Sequence, residues 1–193
     1  MKTIILICLI TLAFVAYTGD KSNSKENSSD KSNLAMDTSM SSSIKGKKDY
    51  TPVHEILAAY LQIKNSLAND DPAEAAAGGD AFVKAIGKIN ESSMTAAQQK
   101  QWNELADDAA EMAEHIGKSS GMIAHQREHF YLLSKDVYDM VKIFKPVQTL
   151  YKDYCPMYNE GEGAIWLSET KEISNPYLGK KMHACGEVRG EIR

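Results

Sequence analysis

The chain has 193 residues, a net charge of −4 and 43% hydrophobic residues. Its sequence pI lies near 5.7. That acidic balance, with Lys and Arg scattered and no basic stripe interleaved with aromatics, argues against a nucleic-acid partner, which needs a basic patch to meet phosphates.

The chain opens with MKTIILICLITLAFVAYTG, in which Lys2 precedes an apolar run from Ile4 to Tyr17 and small residues follow. The run is too short to span a bilayer, which needs roughly 20 apolar residues. It fits the apolar region of a secretory signal over residues 1–19, with cleavage near Ala16–Gly19. Tyr17 stands where a lipoprotein signal would carry its lipidated cysteine, and Cys8 comes too early, so a soluble periplasmic or secreted protein is favoured over a lipoprotein. Signal removal leaves no membrane span. Residues 20–48 are rich in Ser, Asn, Lys and Asp and repeat DKSN at Asp20–Asn23 and Asp30–Asn33. Such a segment buries too little apolar surface to offset ordering entropy and reads as a disordered tether. About 145 residues remain, from 49 to 193, enough for one domain with its own core.

Four helices are expected in that domain. Thr51-Pro52 reads as an N-cap and first helical residue, followed by Val53, Ile56, Leu57, Tyr60, Leu61 and Leu67 at helical spacing. Asn69–Pro72 ends this helix and caps the next, which runs to about Ile89 with Phe82, Val83 and Ile86 on its apolar face and Gly78-Gly79 as a local weakness. Ser93 or Thr95 caps a third helix from Ala96 to Ile116, with Trp102, Leu105, Ala109, Met112 and Ile116 as its stripe. A fourth runs from Met122 to Phe144 with Phe130, Leu133, Val137, Met140 and Phe144, and Pro146 stops it. Stripes stepping by three and four with short loops predict an all-α, up-down four-helix bundle. Beyond it, GAIWLS and GEVRGEI read as short strands and NPYLG as a turn, forming an extended C-terminal lid that carries sulfur.

Two constellations carry chemistry. HQREH, from His125 to His129, matches the inverted zinc-peptidase pattern H-x-x-E-H, with Glu128 placed as a base. A peptidase also needs a further ligand on a later helix, and no long helix follows; taken alone, a hydrogen-bonded structural histidine at the edge of the stripe explains His129. His115 ends helix three, so the turn to helix four brings it to the same end as His125 and His129. Helix four descends about 24 Å from His129 to Lys145. An extended Val147–Tyr154 climbs back roughly 26 Å, which returns Cys155 and Met157 to the level of the histidines.

The second constellation is Cys155-Pro156-Met157 with Met182-His183-Ala184-Cys185. Thiolate and thioether together are the soft donor set that selects Cu(I) or Ag(I) over hard divalent cations. The alternative is a Cys155–Cys185 disulfide, the default for two cysteines in an oxidising compartment, closing a 30-residue loop worth roughly 3–4 kcal/mol. On composition the two stand level.

At these residues the chain resembles a known family. Cys155, Pro156, Met157, Gly163, Trp166, Leu167, Asn175, Pro176, Tyr177, Gly179, Met182, Cys185 and Gly186 are similar to a run in the C-terminal region of periplasmic adaptor proteins of heavy-metal efflux pumps. From about Tyr50 to Ile192 the chain is similar to an uncharacterised domain family of exported proteins, common in the Bacteroidetes, that occurs alone and fused to such adaptors. The resemblance implies a role in handling copper or a related heavy metal. The hairpin and barrel domains of an adaptor have no counterpart in this sequence, so it is not expected itself to bridge a pump to an outer-membrane channel.

The expectation is therefore an exported, non-enzymatic protein that binds Cu(I) or Ag(I) as a chaperone, buffer or efflux accessory. Cys155, Met157, Met182 and Cys185 are the core ligands; His125, His129 and His115 are secondary candidates, which would also admit zinc. The rival is a disulfide-stapled scaffold domain that contacts a partner such as an efflux adaptor without metal, and a remote third is a zinc hydrolase at HQREH.

Overall fold

Helix α1 spans His54–Ala68, α2 spans Pro72–Ile86, α3 spans Ala96–Lys118 and α4 spans Ile123–Phe144. These bounds come from a computed structural model that describes residues 53–193. The expected signal, tether and Thr51-Pro52 cap lie outside the described residues. Asp71 accepts from the Glu74 N–H at the start of α2, with Pro72 in its first turn. Thr95 and Gln98 form a reciprocal capping box at the start of α3. Helix α2 ends at Ile86, short of Ile89, because Gly87 closes its last turn. Lys145, at φ 48°, turns the chain out of α4 ahead of Pro146.

Each helix packs on the next in sequence, which gives the expected bundle order. The α2–α3 contact is made differently from expectation. The face of α3 that is buried runs Trp102, Ala106, Ala109, Ala113 and Ile116, while Leu105 and Met112 are only partly covered. Alanines there let α2 approach closely. Gly79 is the matching surface: a methyl group on it would meet the Ala113 carbonyl at 2.6 Å and the Gly117 nitrogen at 2.7 Å. Gly78 lies in the same way against Ile63 of α1. The glycine pair marks two close approaches rather than a weak turn.

The rest of the chain forms a three-stranded antiparallel sheet: β1 Leu150–Cys155, β2 Ala164–Ser168 and β3 Glu187–Ile192, in the order β2-β1-β3. The molecule is thus mostly helical with a small sheet, rather than purely α. Strand β2 packs against α4 and α1. Tyr60 of α1 fixes it there: its hydroxyl accepts from the Leu167 N–H at 3.0 Å and is 2.9 Å from Ser134 Oγ of α4. Trp166, Leu167 and Tyr177 join the helical core and are fully or nearly fully buried. Among the described residues no helix is long and apolar enough to cross a membrane.

Candidate metal centres

Sulfur collects where β1 ends. Cys155, the last residue of β1, is buried, and its Sγ lies 3.7 Å from Cys185 Sγ; both are free thiols. Cys185 Sγ lies 3.6 Å from Met157 Sδ, and Met157 is 56% exposed, so the group opens to solvent on the thioether side. Adjacent ligands about 2.3 Å from a tetrahedral ion stand about 3.8 Å apart, which matches both separations. Met182 joins the group through the backbone, its carbonyl accepting from the Cys185 N–H. Partial burial and the neighbouring Cys155 hold the Cys185 thiol above its ordinary pKa. A metal at this place therefore has to displace a proton.

Asn175 positions the second sulfur turn. Fully buried, it donates from Nδ2 to the Cys185 carbonyl at 2.6 Å, and its backbone N–H donates to the His183 carbonyl at 2.8 Å. Its Oδ1 accepts from the N–H groups of Tyr177 and Leu178 at 2.8 and 2.9 Å, which shapes the NPYLG turn. Gly186 follows at φ 141°, and a side chain there would meet the Trp166 ring and the Tyr154 carbonyl, each at 2.9 Å.

The lid is latched to α4 by Arg127 and by aromatic rings. Arg127 donates from Nε to the Pro176 carbonyl at 2.8 Å and from Nη2 to the Leu67 carbonyl and Asp70 Oδ1, at 2.8 and 2.6 Å. The Lys180 N–H donates to Asp70 Oδ2. The Arg127 hydrogen bond in particular holds the Asp70 carboxyl below its usual pKa. Tyr158 stacks on Tyr177 at 4.4 Å and lies 6.0 Å from Tyr131. Sequence reasoning passed over Arg127, Asp70 and Tyr158; the signal available was Arg127, half-way between the two histidines of HQREH.

The histidines form a separate group. His115 from α3 and His125 and His129 from α4 place one potential ligand atom each within 4.8 Å of one another. His125 Nε2 lies 3.1 Å from His129 Nε2, and the His115 ring stacks on His129 at 4.5 Å. The chain after α4 does climb back, since Tyr158 reaches Tyr131. It returns on the other side of the helix. Arg127 and Tyr131 each lie two residues from His129, about 200° round α4, so the residues facing the lid point away from those facing α3. The structure brings Cys155, Cys185 and Met157 together in one place and the three histidines together in another.

Residues 56–149 match the model of a family described as a protein of unknown function, DUF3347. No curated protein and no solved structure matches the chain. The matched stretch holds all three clustered histidines and ends just before β1, and over it the chain is similar to this uncharacterised domain family.

Proposed function

We propose that the protein is an exported metal-binding protein that carries Cu(I) or Ag(I) on Cys155, Cys185 and Met157, with Met182 beside them, as a chaperone, buffer or efflux accessory rather than an enzyme. One observation carries the reading: an exposed thioether lies 3.6 Å from one thiol, which itself lies 3.7 Å from a second. Two thiolates and a thioether fit a soft monovalent ion and suit calcium, magnesium or manganese poorly. The signal-like N-terminus and the likeness of the sulfur turns to the adaptors of heavy-metal efflux pumps support the compartment and the class of partner. An open Met157 side gives a route by which a second protein's ligands reach the ion.

The 3.7 Å sulfur separation also favours a second reading, a structural disulfide formed on export, with the domain serving as a scaffold. Anaerobic Cu(I) competition against a colorimetric chelator separates the two. The reduced protein is expected to hold one equivalent, and Met157→Leu to weaken it by about tenfold or more. Leucine is close in volume to methionine, so Met157→Leu is expected to leave the fold intact. Equal retention by Met157→Leu and the parent would sink the copper site and leave the cysteines as a staple.

A further inference from the structure

We infer that the protein carries a second and independent metal site, in which His115, His125 and His129 bind a late first-row divalent cation of the zinc class at the α3–α4 end of the bundle. The inference does not rest on the sulfur reading, because it uses different residues on the opposite side of α4.

The tautomers follow from the partners. Glu128 Oε2 lies 3.2 Å from His125 Nδ1, and a carboxylate only accepts, so His125 donates from Nδ1 and presents the lone pair of Nε2. His129 Nε2, 3.1 Å away, then donates to that lone pair. One proton thus bridges two imidazole nitrogens. A divalent cation takes the place of this proton, which moves to His129 Nδ1 as the ring changes tautomer and there faces Met112 Sδ. Adjacent nitrogens about 2.0–2.1 Å from a tetrahedral ion lie about 3.3 Å apart, so the pair needs little movement. His115 Nε2 lies 3.8 Å from Glu111 Oε1, which leaves its Nδ1 to turn toward the ion. Metal-binding histidines typically offer one ring nitrogen to the ion and the other to a carboxylate or carbonyl. His125 has that arrangement through Glu128, and His115 has a looser form of it through Glu111.

Donor type sets the class of ion. Three imidazoles suit zinc, copper(II) or nickel rather than calcium or magnesium. His129 is half-buried beside the other two rings, and a histidine ligand binds the ion in its neutral form. Met112 Sδ lies 3.4 Å from His129 Nδ1 and closes the inner side of the cluster, so the ion's remaining position faces solvent. The third ligand comes from the preceding helix and Glu128 is engaged with His125, so the geometry makes Glu128 a positioning residue.

The test is a Zn²⁺ titration of the full chain, read by the ring nitrogen resonances of its histidines and by competition with a chromophoric zinc indicator. One equivalent is expected to shift His115, His125 and His129 together. His115→Gln and His129→Gln are each expected to weaken that response by more than about tenfold, Glu128→Gln to weaken it by about tenfold with stoichiometry retained, and Met157→Leu to leave it unchanged. His125→Gln replaces His129→Gln should the half-buried position perturb the fold, as judged by circular dichroism. The inference is overturned if the three rings stay unshifted at one equivalent, or if His115→Gln binds as tightly as the parent. Zinc taken up by the thiols alone would move Met157→Leu and spare the histidines, and the Cu(I) result stands or falls separately.

Discussion

Replacing Asp153 by Asn is expected to stabilise the protein above neutral pH and to do almost nothing in acid. Asp153 lies on the central strand opposite Trp166, is fully buried, and neither of its carboxyl oxygens meets a hydrogen-bond donor among the described residues. Burial pushes its pKa from 3.8 up to about 7, with Lys64 pulling it down and Glu169 pushing it up. Lys64 gives only partial relief because it is already paired with Glu169 at 2.8 Å. A carboxyl with a raised folded-state pKa favours the fold when protonated. Its contribution is complete below about pH 4, where both states hold the proton, and is lost as pH rises through about 7. A rise of that size corresponds to about 4 kcal/mol, a large part of the ~5–15 kcal/mol typical of a domain. The assay is urea unfolding of both proteins at intervals between pH 4 and 8. Subtracting the two curves cancels the other titrating groups, including Asp136, whose pKa is raised to about 6 chiefly by burial. The difference is expected to be within about 1 kcal/mol at pH 4 and to grow to about 2–4 kcal/mol at pH 8. Parallel curves across the range would refute the reasoning and show that Asp153 ionises without cost.

Three further substitutions test how the lid and bundle are held. Gly79→Ala removes a helix-weakening residue, which alone is worth up to about 1 kcal/mol. Its methyl would meet backbone atoms of α3, so a net loss of about 2 kcal/mol or more in chemical unfolding is expected. Asn175→Ala removes one hydrogen bond to the Cys185 carbonyl and two that shape the NPYLG turn. It is expected to cost about 2–4 kcal/mol and to raise the rate at which Cys185 reacts with a thiol reagent. Tyr60→Phe leaves the Leu167 N–H without its acceptor and is expected to cost about 1–3 kcal/mol by thermal or chemical unfolding.

The helices were legible because their signals are local. Asp71-Pro72 and Thr95–Gln98 announce two starts, and the stripe from Phe130 to Phe144 on α4 is buried as its spacing predicts. The strand GAIWLS was equally plain. What escaped depends on partners distant in sequence. Alanine lines the buried face of α3 because Gly79, far from it in sequence, comes close, and no periodicity records that. Strand order escaped too: β1 is central only because both later strands return to it. Nothing in YKDYC tells that Asp153 rather than Lys152 lies under the sheet. A one-residue bulge against β3 falls between these two residues and complicates reading the face by alternation.

The division of the candidate ligands was readable and was missed for a definable reason. Height along α4 brings the returning chain back as far as Tyr131, which Tyr158 meets, but height says nothing about azimuth. At 100° per residue, His125 and His129 share a face, and Arg127 and Tyr131 share the opposite one. Arg127 and Tyr131 meet the lid, so HQREHFY carries two interleaved functions: one set of residues latches the sulfur turns and the other meets His115. The interleaving has a physical consequence. The same helical turn anchors both candidate ligand sets, so anything that shifts α4 near Arg127 acts on both. Asp70, part-exposed and held in its charged form chiefly by Arg127, is the obvious place for such a shift to begin. The latch is complete above the ordinary carboxylate range and weakens as pH falls below it. Acid is therefore expected to loosen the lid before the bundle, seen as faster amide exchange in residues 175–186 than in α3. Uniform exchange in both at low pH would mean that the aromatic column of Phe130, Tyr177 and Tyr158, and not the arginine, holds the lid in place.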